Sequence, residues 1–244
     1  MIIYRSMFAL TSAVVGLGTA HAGIVINGTR VVYPAGHREV ALSMVNNDKE
    51  ARLVQAWVDD GDAKEEPEKS NAPFIITPPM ARVDPGKGQT LRIVFTGATV
   101  PADRESVFYL NVLEIPPKPT GHADGDMNYL QMAVRSRLKI FFRPEGLPGS
   151  PDGAVGQLHW RLLKRDSGYA MECTNDSAYN VSFSDVSFKN AKPDDLVAKG
   201  GMCPAKGKEI FAMVGSPADS NNTLELTTVN DFGGFDPHEA SFTL

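Results

Sequence analysis

Residues 129–142 read YLQMAVRSRLKIFF, and this stretch decides the fold. Leu130, Met132 and Val134 are spaced by two, so an extended chain puts them on one face, with Gln131, Ala133 and Arg135 on the other. No 3.6-residue period competes with that alternation, so the spacing predicts one long β-strand. The segment follows a polar, turn-rich stretch at 118–128, which makes an edge position open to it. An apolar row on an open edge invites aggregation unless a partner uses it. Its use would be β-augmentation, in which the backbone pairs with a partner's sheet and alternate side chains fill the partner's pockets. The competing reading is that the three residues complete this domain's own core. Periodicity alone favours that reading, and it stays open at this point.

Upstream of this strand the pattern repeats. Residues 38–47 place Val40, Leu42 and Met44 on one face, and Asn46-Asn47-Asp48 then turns the chain. Residues 52–58 form the next run, with Trp57 as a core anchor. The charged segment 59–71, which opens Asp59-Asp60 and contains Glu65-Glu66, reads as a solvated loop. Residues 74–77 meet Pro78 and Pro79, which lack ladder donors, so this strand stops there or lies at an edge. After the turn residues 84–88, residues 89–95 alternate Leu91, Ile93 and Phe95 inward. Residues 106–115 are apolar on both faces and read as a central strand, ended by Pro116 and Pro117.

Residues 143–153 contain three prolines and three glycines and read as a connector between two cores. Beyond it come short runs at 154–163, 168–173, 179–188, 208–213, 223–229 and 239–244. The expectation is an all-β chain with slight helix content, made of two immunoglobulin-like sandwiches spanning 23–143 and 144–244. The chain of 244 residues carries a formal net charge of −5, without the basic excess of a nucleic-acid binder.

Residues 1–22 read as a secretory signal: Arg5 precedes the short apolar run 7–18, and Ala20-His21-Ala22 places cleavage before Gly23. That run is too short to span a membrane comfortably, and no later segment approaches the length needed, so no stable membrane insertion is expected. An oxidising compartment permits Cys173 and Cys203 to pair, closing a loop worth roughly 3–4 kcal/mol in the chain-entropy picture. Sequence alone does not distinguish that bond from two buried thiols.

Catalytic signatures are weak. There is no H-E-x-x-H, G-x-S-x-G or P-loop, and His37, His122, His159 and His238 are scattered. No catalytic residue, metal site or cofactor is expected. Two cations stand inside apolar runs, Arg30 within 28–33 and Lys139 between Leu138 and Ile140. Brought together in a cleft they would clamp a carboxylate, Arg as a fork and Lys as a point charge; two ordinary surface cations are the commoner explanation.

The stretches GIVINGTRVVYP (23–34), TPPMARVDPGKGQTLRI (77–93), DRESVFYLNVLEIPP (103–117), LQMAVRSRLKIFFRP (130–144) and VNDFGG (229–234) together resemble the periplasmic chaperones of the chaperone/usher pilus-assembly pathway. The resemblance covers nearly all of the first domain and the end of the second. It implies two immunoglobulin-like domains at an angle around a subunit-binding cleft. It further implies that Arg30 and Lys139 anchor a pilus subunit's terminal carboxylate, and that Leu130, Met132 and Val134 belong to a donated strand filling the subunit's open groove. An outer-membrane usher then receives the subunit. Glu105, Arg143 and Asp231 match an inter-domain ionic network, and Pro78 a position where a cis proline occurs. Family members often carry a disulfide in the second domain, at varying positions. The 12 residues between Pro117 and Leu130 resemble the family's short-loop branch, although GHADGD is unusually acidic and Gly-rich. Some relatives cap their strands by self-association, which is left open here. The alternative reading is an exported immunoglobulin-like adhesion or carbohydrate-binding module, which gives no account of where Arg30 and Lys139 stand relative to the alternating strand.

Overall fold

The structure, a computed structural model, describes residues 23–118, 131–165, 168–190, 200–213, 217 and 220–244. The proposed signal at 1–22 lies outside them. The first half contains β1 (Ile24–Ile26), β2 (Arg30–Pro34), β3 (Val40–Asn46), β4 (Arg52–Asp59), β5 (Phe74–Thr77), β6 (Met80–Val83), β7 (Gly88–Phe95), β8 (Ser106–Ile115) and β9 (Val134–Arg143). They form a four-stranded sheet, β1-β3-β7-β5, and a five-stranded sheet, β2-β9-β8-β4-β6.

The alternating residues meet between these sheets: Leu42 and Met44 from β3, Leu91 and Ile93 from β7, Leu110 from β8 and Ile140 from β9 are all buried. The doubly apolar β8 is the middle strand of its sheet, and β5, halted by its prolines, lies at the edge of the other. The Thr77–Pro78 peptide bond is cis. Between β6 and β7 the chain reverses through Gly86, whose φ of 66° suits glycine, with the Lys87 amide donating to the Asp84 carbonyl. Trp57 departs from expectation. On β4 the core face carries Val54, Ala56 and Val58, so Trp57 turns to the opposite face, where the Arg135 guanidinium lies over its ring.

The second half contains β10 (Leu158–Arg165), β11 (Gly168–Asn175), β12 (Val181–Phe188), β13 (Gly201–Cys203), β14 (Gly207–Met213), β15 (Thr223–Val229) and β16 (Phe235–Thr243). They are hydrogen-bonded in the order β13-β12-β15-β16-β10-β11-β14, so β16 joins the two faces of the sandwich by pairing with both β15 and β10. Trp160, Met171, Val186, Phe188 and Leu224 fill its core, together with the buried Cys173–Cys203 disulfide joining β11 to β13. The connector is less open than its composition suggests. Ser150 caps a helical turn, α1 (Pro151–Ala154), through the Gly153 amide, and Ala154 is fully buried. That turn displaces the start of the following strand from 154 to Leu158.

Candidate functional site

Strand β9 has two unlike halves. Lys139–Arg143 is enclosed, paired in parallel with β2 on one side and antiparallel with β8 on the other. Among the described residues Val134–Leu138 pairs with β8 alone, and no other strand takes its second backbone edge. The strand begins at Val134, five residues later than the alternation predicted. The reason is the neighbour: β8 ends at Ile115 before two prolines, and Gln131–Ala133 has no ladder to join. Gln131 instead donates its side-chain amide to the carbonyls of Pro116 and Pro117, at 3.0 and 3.1 Å. Leu130 and most of the 118–128 loop lie outside the described residues.

Val134 shares the face of Leu138, Ile140 and Phe142, the core residues of β9, but stands beyond the end of the sandwich. It is 51% exposed, and Met132, two residues upstream, is 62% exposed. These two therefore do not complete their own domain's core.

The opposite face of β9 carries Arg135, Arg137 and Lys139. Lys139 stands in register with Arg30 of β2. Both reach the second domain: Arg30 Nη1 donates to the Val229 carbonyl at 2.7 Å, and Lys139 Nζ lies 3.2 Å from Ser182 Oγ. Arg30 also lies over the Phe141 ring, 5.6 Å from its centroid. Among the described residues neither cation has a carboxylate within ion-pair distance. Burial, and secondarily the neighbouring Arg30, push the Lys139 ammonium down to about 8. Burial likewise lowers Arg30, against the more distant attraction of Asp231. The two domains leave cavities of about 680 Å³ beside Arg30 and about 400 Å³ beside Lys139.

A second inter-domain cluster is saturated. Arg143, the last residue of β9, donates Nε to Glu105 at 2.6 Å and both terminal nitrogens to Asp231 at 2.8 and 3.0 Å. The other Glu105 oxygen accepts from the Asn180 amide at 2.9 Å, and the Glu105 amide donates to the Ala178 carbonyl. Burial opposes the Arg143 charge, but the bonds to Asp231 and Glu105 outweigh it and hold the guanidinium above its ordinary range. Burial raises Glu105, offset in part by the Asn180 amide and Arg143.

One buried ion pair escaped the sequence reading. Asp59, expected in a solvated loop, is 1% exposed. It accepts from Arg137, from Asn111 Nδ2 at 2.6 Å and from the Gly61 amide at 2.9 Å. Burial pushes its carboxyl up, but these donors outweigh that and hold it below the usual range. The signal was present: Asp59 shares β4 parity with Trp57, and Arg137 shares β9 parity with Lys139.

Comparison with known proteins names the class that this architecture defines. Residues 23–148 match the family described as pili and flagellar-assembly chaperone, PapD N-terminal domain, and residues 153–240 match the pili assembly chaperone PapD, C-terminal domain. The chain belongs to this family of periplasmic pilus-assembly chaperones. It is 42% identical over 229 residues to the chaperone protein FimB/FhaD of Bordetella pertussis, covering 91% of this chain and 89% of that one. It is 38% identical to the probable fimbrial chaperone YadV of Escherichia coli K12, covering 87% of each. Among solved structures it superposes on the YadV chaperone with a TM-score of 0.74, at 34% identity over 91% of this chain and all of that one. A Salmonella enterica chaperone, SafB, solved in complex with the SafA pilin, gives a TM-score of 0.74 at 26% identity, over 90% of this chain and 96% of that one.

The protein is thus a periplasmic, non-enzymatic chaperone of the chaperone/usher pathway. It binds pilus or fimbrial subunits by a donor-strand mechanism and delivers them to the usher. Family membership sets aside the adhesion or carbohydrate-binding alternative.

Proposed function

We propose that Arg30 and Lys139 together hold the terminal carboxylate of a pilus subunit, while Leu130, Met132 and Val134 fill the groove left by the subunit's missing strand. The observation that carries this reading is an uncompensated pair. Two adjacent, half-buried cations lack a carboxylate partner among the described residues, and burial, with the repulsion of Arg30 second, pushes the Lys139 ammonium down to about 8. An incoming carboxylate converts that repulsion into charge-assisted hydrogen bonds. The free edge of Val134–Leu138 offers its backbone to the subunit, and the exposed apolar row continues the face of the chaperone's own core into the subunit's.

Glu105, Arg143 and Asp231 hold the two domains in the orientation that keeps this cleft open. Export removes residues 1–22, so the working protein begins at Gly23. In the absence of a subunit, self-association is the competing use of the apolar row. The test is co-expression of the mature protein with an incomplete pilus subunit. A soluble one-to-one complex, lost on Arg30→Ala or Lys139→Ala, is expected. Undiminished recovery with both cations removed would sink the anchor.

A further inference from the structure

We infer that export processing builds an ion pair into the first domain, in which the ammonium of Gly23 meets the Glu114 carboxylate and ties β1 to β8 at the root of the donor segment. The inference rests on the cleavage site proposed above. Hydrolysis of the Ala22–Gly23 bond, with water as co-reactant, leaves a carboxylate on Ala22 and an ammonium on Gly23.

The receiving site is already built. Strand β1 is three residues long and forms the edge of the four-stranded sheet, paired with β3 alone. Glu114 lies on β8 in the other sheet, yet its Oε2 accepts the Ile24 amide at 2.9 Å, so this carboxylate bridges the sandwich. The Gly23 carbonyl accepts from the Asn47 amide at 2.9 Å, which fixes Gly23 from the other side. A Cβ on Gly23 would overlap Glu114 Oε1 and stand 3.0 Å from Oε2, so a side chain at position 23 would displace the carboxylate. The Gly23 nitrogen is about 2.5 Å from that Cβ position by covalent geometry, which puts it within about 4.4 Å of Oε1, inside the reach of a charge–charge contact.

The carboxylate also has capacity to spare. The charge facing it is Arg52 of β4, whose Nε is 3.4 Å away but makes no hydrogen bond and whose Nη2 is turned to Asp48. From β9 the residue in register with Glu114 is the uncharged Val134. Before cleavage the Gly23 position offers a neutral peptide N–H; after it, a cation. Since Glu114 pairs with Val134, the new bond stabilises the end of the sheet from which the donor row projects. Maturation is thereby read at the element that captures subunits.

The experiment compares four forms of the secreted protein: the mature chain and a chain that retains Ala22, each with and without Glu114→Gln. Intact mass establishes the first residue. The mature α-amine is expected to titrate above the ordinary range of about 7.7–8.0, and to react with an amine-selective reagent at pH 7 about tenfold more slowly than in Glu114→Gln. Glu114→Gln should lower melting by about 2–4 °C more in the mature chain than in the Ala22-retaining chain, where it removes only the charge facing Arg52. The ammonium's pKa is raised by folding, so its contribution is complete below about pH 8 and disappears as pH rises through the raised value. A chain beginning at Gly23 whose amine reactivity ignores Glu114 overturns the pair alone. A different first residue overturns the cleavage reading and the pair with it. Should Glu114→Gln fail to fold, the melting difference between mature and Ala22-retaining wild-type chains decides: equal melting overturns the pair.

Discussion

Two cationic clusters span the domain interface, and they differ in one respect. Arg143 has two carboxylates and uses three of its nitrogens on them. Arg30 and Lys139 are no less enclosed, yet they face a backbone carbonyl and a serine hydroxyl. A buried cation with its partners supplied by the same chain fixes geometry. A buried pair without them holds a standing electrostatic deficit, which a ligand of opposite charge relieves. On the proposed function, that contrast separates scaffold from binding site.

The sharpest break is substitution within the deficient pair. Lys139→Met should lower affinity for a pilus subunit by about 2–5 kcal/mol, a loss of at least about thirtyfold, because the bound carboxylate would lose a charge-assisted partner. The same change should leave melting unchanged or raise it, since a repelling charge is removed. Calorimetric binding beside a thermal melt reads both. A drop in stability matching the loss in binding would mean that Lys139 belongs to the scaffold.

Arg143→Ala should behave in the opposite sense. It strips Glu105, 5% exposed, of its cation and should cost about 3 kcal/mol of stability. The figure sits at the low end because burial already pushes the Glu105 carboxyl towards its neutral form. Small-angle scattering should report altered domain orientation, with subunit recovery falling as a consequence. Unchanged scattering and recovery would deny the network its proposed role.

Much of this was legible from residue order, and the failures have a common cause. Alternation and proline stops located β3, β7 and β8 because each property acts on its own strand. The same logic carried β9 across residues 131–133: an alternating segment remains a strand only where a neighbour supplies a ladder, and β8 ends at Ile115. Asp59 was assigned to solvent because charged residues follow it, whereas its burial is decided by Arg137 and Asn111, both more than fifty positions away. Trp57 was given to the core because of its size, while strand parity sent it to the other face. Local pattern settles periodicity; partners from distant strands settle where an element stops and which charges are covered.

The apolar row extends the comparison from charge to surface. Met132→Ser and Val134→Ser alter exposed side chains, so each should shift stability by less than about 0.5 kcal/mol. Each should weaken subunit capture by about 1–2 kcal/mol, short of the full 1.5–3 kcal/mol for burying such a side chain because serine retains part of the contact. Competition binding against the wild-type chaperone measures the difference. Equal capture by the double variant would remove the row from the interface.

The smallest effect is the most diagnostic, because stability and binding should move in opposite directions with pH. In the free protein Lys139 titrates at about 8, below the ordinary 10.5. Between these values the unfolded chain binds more protons at this site than the folded one, so the site's contribution makes the fold more stable as pH rises through that window. Subunit binding runs the other way. A carboxylate beside the ammonium raises its pKa in the complex, so capture must recover the proton that the free protein has released, and affinity falls as pH rises above about 8. The decline should reach about tenfold one pH unit above that value, provided the complex keeps its proton there, and it should vanish in Lys139→Met. Arg143, held above its ordinary range by two carboxylates, stays charged throughout this window. A pH-dependent affinity that survives Lys139→Met would assign the titration elsewhere and erase the distinction between the satisfied cluster and the deficient one.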